Sequence, residues 1–542
     1  MTAVASRSST QAATALDKPP AWRTVATLAR RESRLLLRHP ANRVGMALAA
    51  LAWFVGWTAG DGGDVLSDPG NDFPLSLVLL AFGLLLAANL GSLRARRAGA
   101  EELFESLPMP PARRTLAHVL TSIAGVAFCA VVFALMLAVW QARPATIGLP
   151  SAQLIAVLLL VVAGGIVTGV LVARWTPHPA LGAASIVALT VLQSNFGHES
   201  EQWQWLHFVP QQFSSVFAVG PAAWHIPYIA GLVVLGGALA VGRHGWTRPV
   251  TVALAGSLLV IGAAAWAQTR PLEGSALAAQ ADRIQRPLAH QTCVQRGAVR
   301  YCAYPAYADW IREWQEPVDG VRSQLPAAAL GRVAEVSQRT SWTDELQPSV
   351  QRRVDPERAW PADGRVHPGL TWGADDHHLG LAYQVAAGAL GLPTVSTVEQ
   401  APCSAGGQAR AVVAFWLAGQ ADPEARRELA KRVADVAKEG RNGLTKLHVA
   451  NAMPDWSNAH ADAGGDFIPE LGSGARGADL EAAAALLALT PARVGDVVRA
   501  NWSTLRDPAT SGVELFRLVG TAPPAGYAAL APVRPGVGQA CA

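Results

Sequence analysis

Between Val44 and Ala267 the chain passes through seven apolar stretches separated by short polar ones: Val44–Ala59, Leu75–Leu93, Leu116–Trp140, Ala152–Ala173, Ala180–Gln193, Ile226–Gly242 and Val250–Ala267. None contains Asp, Glu, Lys or Arg. A membrane helix needs roughly 20 mainly apolar residues, with about 17 tolerable, so each stretch is predicted to span a bilayer, the first and fifth being the short ones. Trp53, Trp57, Trp140, Trp175, Trp224, Trp246 and Trp266 fall near the ends of these stretches, where interfacial aromatics collect. The predicted fold is an α-helical polytopic membrane protein of about seven transmembrane helices with a C-terminal soluble α+β domain.

Ahead of the first stretch the period changes. From Ala21 to His39, at about 100° per residue, Val25, Leu28, Ala29, Leu35 and Leu36 share one helix face. Arg23, Arg30, Arg34 and Arg38 share the other. Such a helix is expected to lie on the inner leaflet with its arginines toward anionic headgroups. Glu32 falls in the middle of the apolar face, and a buried carboxylate needs a partner: Arg31 or an arginine of a neighbouring loop, unless Glu32 is half-exposed. The expected divisions are a disordered tail (1–20), this interface helix (21–43), a six-helix core (44–242), a seventh span (243–267) and an external domain (268–542).

Composition agrees with two regimes. Of 542 residues, 51% are hydrophobic and only 15% charged, against about 25% charge in soluble domains. The net charge of +4 does not point to nucleic acid. Basic residues sort by loop: Arg23, Arg30, Arg31, Arg34, Arg38 and Arg43 before the first span, Arg94, Arg96, Arg97, Arg113 and Arg114 after the second, then Arg174, Arg243 and Arg248. The alternate loops hold Asp61, Asp64, Asp68 and Asp72 and a single arginine, Arg143. This bias places the N-terminus in the cytoplasm and residues 268–542 outside. Met1 to Pro20 lacks the apolar core of a cleavable signal, so the first span is expected to be a retained anchor.

Cys293, Cys302, Cys403 and Cys541 all lie in the predicted external segment, where disulfides persist. Cys293 to Cys302 alternates about Arg296-Gly297 as a hairpin does. A bridge across it, leaving Cys403 with Cys541, is preferred among three connectivities. Zinc is disfavoured because no closely spaced ligand pair accompanies these cysteines. Asp375-Asp376-His377-His378 is the best polar cluster, but neighbours on a helix point apart, and no metal site is expected. HExxH and GxSxG are absent, so no catalysis is nameable and the chain is not expected to be an enzyme. Helical patterns run over Pro423–Gly440 and Asp479–Leu505, with Asp422 and Thr490 as candidate caps ahead of proline. Ser341-Trp342 and Asn501-Trp502 are expected in the core.

The loop from Arg94 to Arg114 carries a candidate short helix, Gly99 to Leu107, with Leu103, Phe104 and Leu107 on one face and Glu101, Glu102 and Glu105 around it; prolines end it. Its chemistry suits either docking to a soluble partner or a solvated turn. Arg31-Glu32 followed by Arg38-His39-Pro40, and the later pattern Arg97…Glu102-Leu103…Ser106-Leu107-Pro108…Arg114, resemble the segments flanking the first two spans in ATP-binding-cassette (ABC) permeases of the type-2 exporter class. The resemblance covers roughly Trp22 to Gly242. It implies that Glu101, Glu102, Leu103, Phe104 and Leu107 couple to a nucleotide-binding ATPase subunit, and that Glu32, Arg34 and Arg38 belong to an interface helix. It also implies a second permease chain, as homo- or heterodimer, in the bacterial cell membrane. The seventh span and the external domain depart from the class.

No GxxxxGK[ST] loop occurs, so ATP would be bound by the partner and no cofactor is expected here. The spans hold no ionisable groups at their centres, which counts against ion coupling. His118, Asn89, Gln193 and Asn195 are expected to be hydrogen bonders, and Gly165 and Gly169 to allow close helix approach. The competing reading is a membrane-anchored sensor or binding protein. An impermeant thiol reagent is expected to modify a cysteine placed at Ser275 in intact cells but not one placed at Ala100; a protected Ser275 site would reverse the orientation of the domain.

Overall fold

The computed structural model describes residues 21–59, 73–100, 109–142, 146–195, 203–209, 222–271, 273–340, 348–359, 365–370, 377–392, 405–439 and 477–527. The N-terminal half contains α1 (Ala21–Arg38), α2 (Pro40–Ala59), α3 (Phe73–Ser92), the single turn α4 (Arg94–Arg97), α5 (Pro111–Val119), α6 (Thr121–Gln141), α7 (Ala152–Trp175), α8 (Ala180–Asn195), α9 (Ala222–Gly242) and α10 (Arg248–Gln268). Only a turn at Leu120 separates α5 from α6. Among the described residues, five helices are long and apolar enough to cross a membrane: α3, α5–α6 taken together, α7, α9 and α10. Of the other two expected spans, α8 is shorter, and α2 begins with the polar Pro40, Asn42 and Arg43.

The bundle is built on α3 and α7, whose apolar windows are 61% and 44% buried, against 17% for α5–α6 and for α10. A Cβ at Gly169 would stand 2.2 Å from the Leu85 carbonyl oxygen, and one at Gly165 would stand 3.0 Å from that of Ala81. The predicted small-residue pair therefore lets the two backbones touch. Asn89 on α3 closes the seam by donating to the Gly169 carbonyl at 3.3 Å. Gln193 does not bridge spans. It donates to the Val209 carbonyl at 3.0 Å and accepts from the Phe208 N–H at 2.9 Å, holding the segment before α9. The outer helices present Ile123, Val131, Leu135, Val252 and Leu259 outward, a costly surface in water and a matched one in hydrocarbon. Trp175, Trp224, Trp246 and Trp266 are exposed near helix ends; Trp140 is buried instead.

The C-terminal half is mainly helical, with one small sheet. It contains α11 (Gly274–Gln285), β1 (Thr292–Arg296), β2 (Val299–Ala303), α12 (Trp310–Gln324), β3 (Glu335–Ser337), α13 (His377–Leu390), α14 (Ala409–Gly419), α15 (Pro423–Glu439), α16 (Gly477–Leu487), α17 (Pro491–Ala500) and α18 (Gly512–Val519). In the sheet, β2 pairs antiparallel with β1 and parallel with β3. The hairpin is as expected: Cys293 faces Cys302 and the two are bonded. The two-residue turn begins at Gly297, whose φ of 54° suits a tight hairpin. Cys403 and Cys541 lie outside the described residues, as do Ser341-Trp342, Asp375 and Asp376.

Every residue of α14 is buried. A helix of its 11 residues is about 16 Å long, too short to cross a bilayer, and an all-round apolar helix of that length belongs at the centre of a soluble core. Around it pack Trp310, Trp314, Tyr383 and Phe516. Ile147, from the segment between α6 and α7, is part of the same core, so the domain sits at that end of the bundle. The helical pattern over Asp479–Leu505 is divided into α16, α17 and a further turn, the second helix starting at Pro491 after Thr490 as the sequence suggested, because proline has no N–H to continue a helix. Thr490 stands at its N-cap position without a side-chain hydrogen bond.

Asp422 does cap α15: Oδ1 accepts from the Ala425 N–H at 2.8 Å. Its Oδ2 lies 3.0 Å from Nδ1 of His378 on α13. In return Glu428 of α15 accepts from the Leu379 N–H, at the start of α13, at 2.6 Å. Burial disfavours the charge on His378, but the hydrogen bond to Asp422 and the charges of Asp422, Glu428 and Glu424 outweigh it and raise its pKa. Burial likewise opposes the Asp422 charge, and His378 with the backbone N–H groups overcomes it and lowers that pKa. The pair's stabilisation is therefore complete between about pH 4 and about pH 6.5, the unfolded values of the two groups. It fades as pH rises through the raised His378 value or falls through the lowered Asp422 value. Asp422→Asn is expected to destabilise the domain by about 1.5–3 kcal/mol near pH 6 and by less at alkaline pH, read as urea midpoints of its tryptophan signal. An equal loss across the range would show that charge is not involved.

Candidate functional site

Along α1 the buried positions are Val25, Ala29, Glu32 and Leu36, one stripe of a helix, while Arg23, Arg30, Arg34 and Arg38 are exposed. The stripe is not turned to lipid as expected. Val25 and Ala29 pack on Ala117 of α5, and Leu36 enters the core of the bundle. Most of the apolar face is thus covered by protein, with Leu35 left exposed, and the arginines point outward.

Glu32, the exception in that stripe, is answered by Arg94, the first residue after α3 and its adjoining Leu93. One guanidinium nitrogen, Nη2, donates to both carboxylate oxygens, at 2.9 and 3.2 Å. The carboxylate is 9% exposed and the guanidinium 51%. A buried carboxylate is satisfied while the arginine keeps half its hydration, which lessens the desolvation that makes fully buried pairs poor stabilisers. Arg31, the alternative partner, is exposed. The contact spans 62 residues of chain and ties the interface helix to the exit of α3.

Beside this pair lies a cavity of about 540 Å³. Arg38, His39, Arg94 and Arg97 line it together with Glu32, and so do Leu36, Ala87, Leu90 and Val170. His118 and Thr121 also face it. His39 Nδ1 accepts from the Ala41 N–H at 3.1 Å, which leaves any ring proton on Nε2. Burial, with Arg97 and Arg94 nearby, pulls the His39 pKa down, so the ring is neutral at pH 7.

The other segments assigned by charge to the same side meet at this end. Thr115 Oγ1 is 2.9 Å from His244 Nε2, and the Arg243 guanidinium lies 5.9 Å from the Trp175 ring centre. Burial and the neighbouring Arg174, Arg243 and Arg114 lower the His244 pKa. At the opposite end His225 joins α9, α10 and the 203–209 segment, its ring nitrogens 3.1 Å from the Trp205 carbonyl, 3.2 Å from Gln268 Oε1 and 3.3 Å from the Phe208 carbonyl.

Glu101, Glu102, Leu103, Phe104 and Leu107 lie outside the described residues; Ala98, just ahead of them, lines the cavity. No group of three or more metal-ligating side chains occurs among the described residues, and His378 is committed to Asp422. Reading the sequence flagged Glu32 as needing a cation but could not choose among the arginines, and it missed His39 and Arg97 as neighbours. Comparison with protein-family models, curated proteins and solved structures gives no match.

Arg94→Ala leaves the Glu32 carboxylate buried without its cation. It is expected to lower the stability of the full chain by about 1–3 kcal/mol, and Glu32→Gln by less. In the double-mutant cycle the two losses should not add, and Glu32→Arg with Arg94→Glu should recover part of the loss. Thermal midpoints in detergent read this directly; strictly additive losses would mean the contact is energetically idle.

Proposed function

We propose that the chain is the membrane-spanning permease subunit of an ATP-driven ABC exporter of the type-2 class, with its ATPase on a separate polypeptide and a second permease chain beside it. The observation that carries this reading is the Glu32–Arg94 contact. Glu32 of the first resembling segment is met at one end of the bundle by Arg94, three residues ahead of Arg97, where the second resembling pattern begins, so the buried carboxylate ties the two stretches together. In this reading α2 and α8 also cross the membrane, giving seven spans in a bacterial cell membrane, with the N-terminus in the cytoplasm and the C-terminal domain outside. Supporting it, the segments that charge assigns to the cytoplasm touch one another, through Thr115–His244 and Arg243–Trp175. Ile147, assigned outside, lies in the core of the domain assigned outside.

The mechanism follows from the joints. In the chain, the segment 101–108 follows α4, whose first residue is Arg94. A push on that segment from a docked ATPase would reach α3 through the chain and α1 through Arg94–Glu32. Because α3 and α7 touch backbone to backbone, they would move as one body, in the way packed helices shift between discrete arrangements. The rival reading, an anchored sensor or binding protein, is favoured by the size of the external core and by its seat on Ile147.

Docking energy concentrates in a few large apolar side chains, here Phe104 and Leu103, with Glu102 steering. Phe104→Ala is expected to leave membrane insertion intact and to cost about 2 kcal/mol of docking, roughly thirtyfold in affinity. The readouts are co-purification of the ATPase subunit and substrate-stimulated hydrolysis. Wild-type complex and transport in both Phe104→Ala and Glu102→Arg chains, with activity abolished by removing the external domain, would replace the permease reading with the anchored one.

A further inference from the structure

Three guanidinium groups, from Arg38, Arg94 and Arg97, line the cavity beside α1 with a single carboxylate, Glu32. Arg94 is spoken for by that carboxylate. Arg38 and Arg97 make no ion pair or side-chain hydrogen bond among the described residues, and both are exposed. The surplus positive charge is felt locally: after burial itself, Arg97 and Arg94 lower the His39 pKa. With Nδ1 occupied by the Ala41 N–H, His39 retains an Nε2–H donor.

Apart from His118 and Thr121, the remaining side chains of the lining are apolar, among them Leu35, Leu36, Ala87, Leu90 and Val170, and Leu35 is 39% exposed. Cationic donors and apolar side chains in one cavity complement an anionic amphiphile. A small free anion would use the arginines and leave the apolar wall wet. The volume, about 540 Å³, falls in the range of ligand pockets and is enough for a headgroup and the first methylenes of its chains. The place fits as well. The cavity lies where α3 leaves its apolar window and where the arginine-bearing α1 ends, the level at which headgroups stand if these helices cross a bilayer.

We propose that this cavity binds the phosphate-ester headgroup of an anionic membrane lipid, with Arg38 and Arg97 on the phosphate oxygens and His39 Nε2 as a further donor. The lipid then bridges α1 to α4 alongside the Glu32–Arg94 contact. The inference does not depend on the transport reading.

The test uses the full chain in nanodiscs of phosphatidylcholine, with and without a minority of phosphatidylglycerol, and phosphatidylcholine discs given soluble glycerol phosphate. Phosphatidylglycerol is expected to raise the thermal midpoint of the wild-type chain, and native mass spectra should show it retained. Arg38→Gln/Arg97→Gln should lose most of the midpoint rise and at least about tenfold in retention, a factor worth about 1.4 kcal/mol. Arg30→Gln/Arg34→Gln, which removes equal charge from α1 at positions that do not line the cavity, should keep both. Arg38→Lys/Arg97→Lys retains the charge and should keep part of the rise; it stands in if the glutamine pair does not fold. Three results would overturn the proposal: an equal loss in the Arg30/Arg34 control, which means diffuse surface attraction; a wild-type midpoint indifferent to phosphatidylglycerol; or a full shift from glycerol phosphate alone, which means a soluble ligand.

Discussion

Helices surrounded by hydrocarbon gain little by hiding apolar side chains from one another, because lipid tails are as apolar as leucine. What holds α3 to α7 is therefore contact at backbone distance. Gly165 and Gly169 bring one helix against the Ala81 and Leu85 carbonyls of the other, and Asn89 reaches across to the Gly169 carbonyl. A methyl group at position 169 would overlap a carbonyl oxygen, so the seam tolerates no side chain there without parting the helices. The remaining N-terminal helices are arranged around this pair, and their outward faces carry the exposed leucines, valines and isoleucines.

The seam also decides where polar chemistry is placed. Because α3 is fixed along its length, the residues just past its end are fixed too, and Arg94 stands ready for the single carboxylate in the buried stripe of α1. That contact turns an amphipathic segment into a docked one and walls one side of the cavity. At the other end His225 gathers α9, α10 and the 203–209 segment onto backbone carbonyls and Gln268. Among the described residues, Asn89 donates across the seam to the Gly169 carbonyl and Ser257 within α10 donates to the Leu254 carbonyl, while the contacts that join separate segments lie toward the two ends of the bundle.

The C-terminal domain follows the rules of water-soluble proteins. Its centre is α14, buried on all sides, and its buried polar groups are exchanged between elements rather than exposed. Asp422 caps its own helix and holds His378, while Glu428 caps the helix that bears His378. Asp479 likewise accepts from the Gly407 N–H and the Tyr527 hydroxyl. A disulfide closes the hairpin, and Ile147 seats the domain on the bundle.

Much of this was legible locally. Apolar runs, the hairpin about Arg296-Gly297 with its cysteines, the small residues at 165 and 169, the cap at Asp422 and the misplaced Glu32 are all properties of a residue and its near neighbours, and the structure shows them as local features. Which arginine answers Glu32 was not legible. Nor was it legible that α1 spends its apolar face on Ala117 instead of lipid, that His39 and Arg97 share a cavity, or that Ile147 lies in a distant core. Each of these joins residues far apart in the chain, and periodicity and charge counts say only that a face is apolar or a group needs a partner. The choice among partners is made by the distance at which helices pack, and that distance exists only once the chain has folded.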